Sequence, residues 1–225
     1  MKPTGALPMK ILAVEFSSEQ RSVAIVEGDA ANSQLLGRAG EIGGRNARAF
    51  ALIEDVLKQA QMEREHIDCI AVGLGPGSYA GIRAAIALAQ GWQLARSIKL
   101  LGLSSVECLA AQVQANGNRG FNVIVDAQRN EFYLAAYEIR ENFSKEVESL
   151  HIVSRAEVEQ RIAAGQIVMG PEATRNFASA QELFPDAATL GRLACGKTDF
   201  IDGEKLKPIY LREVSFVKAP TPRVI

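Results

Sequence analysis

The order of predicted strands and helices repeats along the chain, and this repeat restricts the fold more than any other feature of the sequence. Short apolar runs bounded by turn residues predict strands, and apolar residues three and four apart predict helices. From Lys10 to Gln114 the order is β-β-β-α-β-α followed by one more strand and helix. From Phe121 the β-β-β-α-β-α order begins again and ends in a helix predicted over Thr174–Leu183. We therefore predict an α/β protein with two lobes of the same architecture.

The boundary between the lobes is predicted at the polar, glycine-rich segment Asn116–Gly120. The N-terminal lobe then covers residues 9–117 and the C-terminal lobe residues 118–225, although the last helix and the tail can return to the N-terminal lobe. Residues 1–8 are expected to be a disordered extension, because they lack the apolar run of a signal peptide. Three cysteines far apart in the sequence and the absence of a long apolar run favour a cytoplasmic location.

The distribution of charge excludes a protein that binds nucleic acid through bulk electrostatics. Residues 1–117 contain 11 basic and 11 acidic side chains, and residues 118–225 contain 14 and 15. Only residues 204–225 are locally basic, with five basic and two acidic groups. If RNA is involved, something other than this chain must therefore supply most of the positive charge.

The helix predicted to end near Arg96 has a stripe of very small side chains, with spacings of four, three, four and four residues: Ala80, Ala84, Ala87, Gly91 and Ala95. These positions lie within about 80° of one another around the helix axis, so another helix can approach closely. A second helix is predicted over Asn46–Met62, with Phe50 and Leu57 on its apolar face. Two interpretations follow. The two helices pack against each other within the chain, or together they form a subunit interface.

The segment Gly73–Ser78, with the sequence GLGPGS, lies between a predicted strand and this helix. It is not a P-loop, because no Gly-Lys-Ser/Thr follows. It is either a structural turn in which Ser78 caps the helix or a loop that faces a phosphate. Glu15 and Asp126 end the first strand of each lobe. They either face a nucleotide cleft or only cap those strands.

Residues for hydrolysis or metal catalysis are missing from the sequence. The two histidines, His66 and His151, lie 85 residues apart, and no Gly-x-Ser-x-Gly motif occurs. These observations exclude a histidine-rich metal site and a serine hydrolase. Cys108, between apolar residues in a predicted helix, is expected to lie in the core. We predict no catalytic residues and no metal ligands.

Two longer motifs are specific when taken together: GLGPGSYAGIR at Gly73–Arg83 and VDAQRNEFYLA at Val125–Ala135. With Ile11–Ser18, Leu101–Ala111 and Pro208–Arg212, they resemble the TsaB (YeaZ) family of bacterial tRNA threonylcarbamoyladenosine biosynthesis proteins. The resemblance extends from Met9 to about Arg212. It implies the fold of the actin/hsp70/sugar-kinase superfamily, with two RNase-H-like lobes.

The resemblance also implies a function. Members of this family are non-catalytic scaffold subunits that pair with the metal-bearing subunit TsaD and work with the ATPase TsaE. Together these proteins place threonylcarbamoyl on N6 of adenosine 37 in tRNAs that read ANN codons. The resemblance implies that ATP and magnesium serve the complex, that this chain binds no cofactor tightly, and that tRNA is contacted only through the complex. When alone, the chain is expected to form a homodimer.

The same resemblance selects candidate residues. In the family the first two helices form the subunit contact, so the interface candidates are Phe50, Leu57, Ala80, Ala84, Ala87, Gly91 and Ala95. The catalytic relative has a His-x-x-x-His metal pair where this chain has Ser105 and Leu109. Weaker candidates, for a vestigial nucleotide cleft, are Glu15, which replaces the Asp of the family, Gly75, Gly77, Ser78 and Asp126.

Two alternative functions remain open at this point. An autonomous actin-like ATPase or small-molecule kinase would use Glu15 and Asp126 for magnesium and Gly75–Ser78 for phosphate. A purely structural homodimer would use the same helix pair on a second copy of the chain.

Overall fold

The computed structural model describes residues 8–43, 48–113, 120–140 and 143–211. Most of the predicted linker Asn116–Gly120, nearly all of the extension 1–8 and the tail after Leu211 lie outside these residues. The described chain forms two five-stranded sheets with helices on their faces. None of the helices in these ranges is long and apolar enough to span a membrane.

The first sheet has the strand order β3-β2-β1-β4-β5. β1 pairs antiparallel with β2 and parallel with β4, which leaves β3 and β5 at the edges. Its strands are β1 (Met9–Glu15), β2 (Gln20–Gly28), β3 (Ser33–Ile42), β4 (Cys69–Gly73) and β5 (Lys99–Leu103). The accompanying helices are α1 (Ala49–Ala60), α2 (Tyr79–Arg96) and α3 (Ser105–Ala111).

The second sheet repeats this topology in the order β8-β7-β6-β9-β10, with the same pattern of parallel and antiparallel pairs. Its strands are β6 (Gly120–Asp126), β7 (Glu131–Arg140), β8 (Phe143–Ser154), β9 (Ile167–Gly170) and β10 (Gln181–Glu182). The helices are α4 (Arg155–Ala163), α5 (Ala173–Asn176) and α6 (Ala187–Ala194). The predicted two-lobed α/β architecture is therefore confirmed.

The core is divided by the two sheets. The apolar faces of α1 and α2 pack on one face of the first sheet, and α6 packs on its other face. α3 lies between the sheets, because Cys108 joins the α6 side while Val106 and Leu109 join the core of the second sheet. Cys108 is fully buried, as expected, and burial raises the pKa of its thiol.

The helix predicted over Thr174–Leu183 is wrong in extent. The helix ends at Asn176, because Phe177 turns to extended backbone and packs its ring 5.0 Å from that of Phe132. The chain then adds β10 in parallel to β9. Apolar residues three apart are present in this segment, but they contact the core from an irregular chain rather than from one helix face.

Helix α6 was not predicted from the sequence, although an N-cap residue precedes it. Asp186 precedes the helix, and its Oδ1 accepts hydrogen bonds from the backbone N–H groups of Ala188 (2.9 Å) and Thr189 (3.1 Å). The side-chain hydroxyl of Ser22 on β2 accepts the N–H of Ala187 at 2.9 Å. A residue of the first lobe thus helps to place a helix that belongs to the second half of the sequence.

Candidate functional site

The loop after β4 brings the N-terminus of α2 against the end of β1. A Cβ atom on Gly77 would lie 2.0 Å from the carbonyl oxygen of Ser17, so only glycine fits this approach. The N–H of Ser78 donates to the same oxygen at 2.6 Å. The Ser78 hydroxyl accepts from the N–H of Gly81 at 3.3 Å, which confirms its predicted role as N-cap of α2.

A cleft of about 420 Å³ lies between the lobes beside this loop. Three predicted cleft residues, Gly77, Ser78 and Asp126, line it, whereas Glu15 and Gly75 do not. The rest of the lining is formed by Ser17, Ser18, Glu19, Tyr79, Val125, Ala127, Gln128, Tyr133, Pro171 and Glu172.

Glu15 is completely buried rather than facing the cleft. Its Oε1 accepts the N–H of Ser17 at 2.7 Å, and its Oε2 accepts the hydroxyl of Ser105 at 2.8 Å. The carboxyl group lies over Gly73, where a Cβ atom would come within 2.0 Å of Oε2. Burial raises the pKa of Glu15 above its ordinary value, against the lowering effect of these hydrogen bonds. The prediction that Glu15 faces the cleft is therefore corrected.

Gly75 is also directed inward. It is buried, and its N–H donates to the hydroxyl of Ser105 at 3.1 Å. Ser105 thus connects the glycine loop to Glu15 at the end of β1, and its own side chain lies in the interior. A phosphate in the cleft could not contact Gly75 without a rearrangement of this buried network.

Asp126 is exposed at the cleft, and both oxygens of its carboxylate accept hydrogen bonds from a neighbouring residue. Oδ1 accepts the N–H of Gln128 at 2.7 Å, and Oδ2 accepts Nε2 of the same glutamine at 3.2 Å. Asp126 and Glu15 therefore do not form a pair of free carboxylates across the cleft, which is what magnesium–nucleotide binding by the alternative function would need.

The two positions that correspond by resemblance to metal-binding histidines lie in the core. Ser105 is 1% exposed, and Leu109 is fully buried. Because leucine provides no ligand atom and the serine hydroxyl is bonded to Glu15 and Gly75, these side chains do not fit a metal ion.

A different group of possible ligands lies on the second lobe. Ligand atoms of Glu148, His151 and Glu157 lie within 4.8 Å of one another. Arg161, however, donates to both oxygens of Glu148 at 2.7 and 2.8 Å and to Glu157 at 3.0 Å. His151 is also bonded locally, through Nδ1 to the carbonyl oxygen of Ser149 at 2.8 Å. We interpret the group as an ion-pair network.

The stripe on α2 is exposed along its whole length. Its opposite face, with Ile82, Ala85, Ile86 and Ala89, is buried on the first sheet. Around Gly91 a Cβ atom would meet nothing within 4 Å. The interpretation that the stripe packs against α1 within the chain is therefore wrong. The exposed positions are Ala80, Ala84, Ala87, Gly91 and Ala95.

Two large apolar side chains of the first two helices are also exposed. Leu94 lies beside the stripe on α2 and is 90% exposed, and Phe50 lies on α1, which packs on the same face of the sheet, and is 70% exposed. Leu57, another predicted interface residue, is only 4% exposed and belongs to the core beneath α1, so it is not available to a partner. We refer to Phe50, Leu94 and the five small residues of the stripe as the α2 face.

Tyr79 connects the α2 face to the cleft. It lines the cleft at the first position of α2, and Tyr210 stacks on its ring with centroids 5.6 Å apart. The guanidinium of Arg83 lies 5.0 Å from the centre of the Tyr79 ring. The N–H of Ile209 donates to the carbonyl oxygen of Leu74 at 2.9 Å and holds this segment in place. The sequence motif that contains Tyr210 gave no indication of this contact.

The sequence of this chain is similar to those of known proteins. Residues 46–184, more than half of the chain, match the model of the family TsaD, tRNA N6-adenosine threonylcarbamoyltransferase. The chain is 28% identical to the tRNA threonylcarbamoyladenosine biosynthesis protein TsaB of Escherichia coli, over 94% of this chain and 99% of that protein. It is 24% identical to the protein of the same name from Haemophilus influenzae, over 94% and 98% of the two chains.

A solved structure shows the same fold. YeaZ from Pseudomonas aeruginosa superposes with a TM-score of 0.71 at 23% identity, over 90% of this chain and all of that chain. The chain therefore belongs to the TsaD family, is of the TsaB (YeaZ) type within it, and has a role in the synthesis of threonylcarbamoyladenosine in tRNA.

Proposed function

We propose that this chain is a non-catalytic scaffold subunit required for threonylcarbamoylation of N6 of adenosine 37 in tRNAs that read ANN codons. It acts by pairing with a metal-bearing catalytic subunit of the TsaD type. The observation that carries this proposal is the exposed α2 face, on a helix whose other face is already buried in the core.

The shape and chemistry of the α2 face fit a helix of a partner protein. Small side chains allow two helix backbones to approach closely, so that many atoms come into van der Waals contact. Phe50 and Leu94 are largely exposed here, and burying a large apolar side chain fully contributes roughly 1.5–3 kcal/mol. A second copy of the chain can use the same face, which accounts for the expected homodimer when the catalytic subunit is absent.

The non-catalytic role is supported by the interior around α3. Ser105 and Leu109 stand where the catalytic relative holds its metal, and both are buried in a hydrogen-bonded and apolar environment. Metal-assisted transfer requires ligands that hold the ion next to the substrate. In this proposal the catalytic subunit supplies them.

The use of ATP is likewise assigned to the complex, which includes the ATPase TsaE. In this chain Glu15 is buried, so it cannot pair with Asp126 to hold magnesium in the cleft. The near-neutral charge of the chain suits a subunit that meets tRNA only through its partners. A cytoplasmic location agrees with its three free cysteines, Cys69, Cys108 and Cys195.

The test is to measure the association of the full chain with the purified TsaD-type subunit of the same organism by isothermal titration calorimetry. A 1:1 complex that is weakened by Ala84→Leu supports the proposal. Absence of binding, or tight magnesium-dependent ATP binding with turnover by the chain alone, contradicts it.

A further inference from the structure

The turn between β6 and β7 has an unusual backbone. Gln128, Arg129 and Asn130 have φ angles of +63°, +59° and +64°, so three successive residues other than glycine adopt the left-handed conformation. A hairpin turn closed by the Glu131 N–H on the Gln128 carbonyl oxygen needs positive φ at its two central residues, Arg129 and Asn130, where asparagine and glycine are favoured. For Gln128 and Arg129 this conformation is unfavourable because Cβ approaches the following carbonyl oxygen. Strain of this kind persists only where surrounding contacts enforce it, and it is concentrated at functional positions.

Contacts within the hairpin support one side of the turn. The carboxylate of Asp126 accepts the N–H of Gln128 at 2.7 Å. The N–H of Ala127 donates to the carbonyl oxygen of Glu131 at 3.0 Å, and the N–H of Glu131 donates to that of Gln128 at 3.2 Å. These bonds close the hairpin, but they leave Asn130 to be held from elsewhere.

Arg155 holds the other side of the turn from a distant part of the lobe. Its N–H donates to the carbonyl oxygen of Asn130 at 3.1 Å, and its Nε donates to Oδ1 of Asn130 at 3.2 Å. Its guanidinium also donates to the carbonyl oxygen of Asn176 at 3.0 Å and lies 4.7 Å from the centre of the Phe177 ring. The first residue of α4 and the end of α5 thus fix the geometry of this turn.

The turn presents Arg129 to solvent. The side chain is exposed, and in the described part of the chain it has no hydrogen-bonded or oppositely charged partner. Asp126, Ala127 and Gln128 line the same cleft as Tyr79, the first residue of α2. Arg129 directly follows Gln128, so a protein that covers this cleft and Tyr79 comes within reach of Arg129.

We propose that the turn Gln128–Asn130 is a second contact element for the catalytic subunit, in which Arg129 binds a carboxylate of that subunit. This inference rests on the proposed function and extends its interface across the cleft. A guanidinium pairs with a carboxylate through two parallel hydrogen bonds, and a rigid turn reduces the entropy lost in forming them. A single carboxylate suits the site better than an RNA backbone. A polyanion is held by several clustered cations, whereas the lining of the adjoining cleft has Glu19, Asp126 and Glu172 and no lysine or arginine, and Glu19 and Glu172 are already paired with Arg175.

The experiment separates the charge of Arg129 from the strain of its backbone. The affinity of the full-length chain for the catalytic subunit is measured by calorimetry for Arg129→Ala, Arg129→Gly and Arg129→Lys. We expect the first two variants to lose about tenfold or more in affinity, and Arg129→Lys to lose less because it keeps the charge. Arg129→Gly should also raise the Tm of the isolated chain, because glycine adopts the left-handed conformation without strain.

Gln61→Gly is the matched control. Gln61 is exposed and left-handed as well, with a φ angle of +52° at the C-terminal cap of α1. The Gln61→Gly variant should raise the Tm of the isolated chain in the same way as Arg129→Gly. It should leave the affinity for the catalytic subunit within about twofold of the wild type.

The outcomes distinguish this inference from the proposed function. If the wild-type chain does not bind the catalytic subunit, the proposed function fails. If it binds and Ala84→Leu weakens binding while Arg129→Ala stays within about twofold of the wild type, only the second contact element is overturned. It is also overturned if Arg129→Ala weakens binding of tRNA to the assembled complex but not the association of the two proteins.

Discussion

Glu15 shows how a single buried residue determines what the cleft can do. Its carboxyl group is enclosed between β1, Gly73 and Ser105, and it is bonded to groups on two other segments of the chain. A carboxylate at the end of the first strand would otherwise be the natural ligand for a magnesium–nucleotide complex. Because this one is turned inward and keeps its proton more readily than an exposed glutamate, it contributes to the packing of the lobe.

The raised pKa of Glu15 predicts a pH dependence of stability. The native chain retains a proton that the unfolded chain releases, so the stabilisation is fully present below the unfolded pKa of about 4.3 and decreases as pH rises through the folded pKa. Glu15→Gln does not titrate. Urea unfolding of both proteins between about pH 4 and 8 should show the wild type losing up to about 1.4 kcal/mol per pH unit relative to the variant. Parallel pH profiles would contradict this assignment.

Ser105 should be equally sensitive, because it both donates to Glu15 and accepts from Gly75. Ser105→Ala leaves two buried polar groups without a partner and should lower the free energy of unfolding by about 1–3 kcal/mol. Ser33→Ala, at an exposed serine of the edge strand β3, should change it by less than about 0.5 kcal/mol. Chemical denaturation at neutral pH measures both values. Equal effects of the two substitutions would show that the hydrogen bonds of Ser105 do not stabilise the fold.

Glu15 and Ser105 show which contacts cannot be predicted from the sequence. The helix cap at Ser78 and the burial of Cys108 follow from local pattern, and both are confirmed. The orientation of Glu15 depends on Ser105, which lies 90 residues away in the sequence. No local pattern contains that contact.

At the level of elements, α2 carries the main functional argument. The spacing of its small residues correctly predicted a continuous stripe, but the sequence left open whether α1 or another protein covers it. The structure excludes α1 because all five positions are exposed. That distinction requires knowing how both helices lie on the sheet, which depends on the packing of the whole lobe.

Enlarging the stripe should therefore impair association without unfolding the chain. Ala84→Leu and Gly91→Leu place side chains where a partner backbone approaches, and overpacking of this kind costs typically about 1–3 kcal/mol per site. In the monomer these positions face solvent, so the Tm measured at concentrations where the chain is monomeric should not fall. Calorimetric titration with the catalytic subunit, together with thermal unfolding, measures both effects. Unchanged affinity in folded variants would exclude the α2 face as the interface.

The whole molecule consists of two lobes with the same topology, held together by α3 and α6. The repeated order of strands and helices was sufficient to predict the two lobes. It was not sufficient to predict helix α6 itself, because this helix has only eight residues and its position depends on Asp186, on Ser22 and on the apolar face that it packs on the first sheet. The sequence therefore predicted the architecture better than it predicted the contacts between the lobes.

The central claim is that this chain is required for threonylcarbamoyl transfer without performing it. The most direct measurement is transfer of threonylcarbamoyl to tRNA from the activated adenylate, in reactions that contain this chain alone, the catalytic subunit with TsaE, or all three proteins. The account predicts no transfer by the chain alone, with or without added iron or zinc, and full activity only when all three proteins are present. Transfer by the chain alone, or full activity without it, would contradict the account.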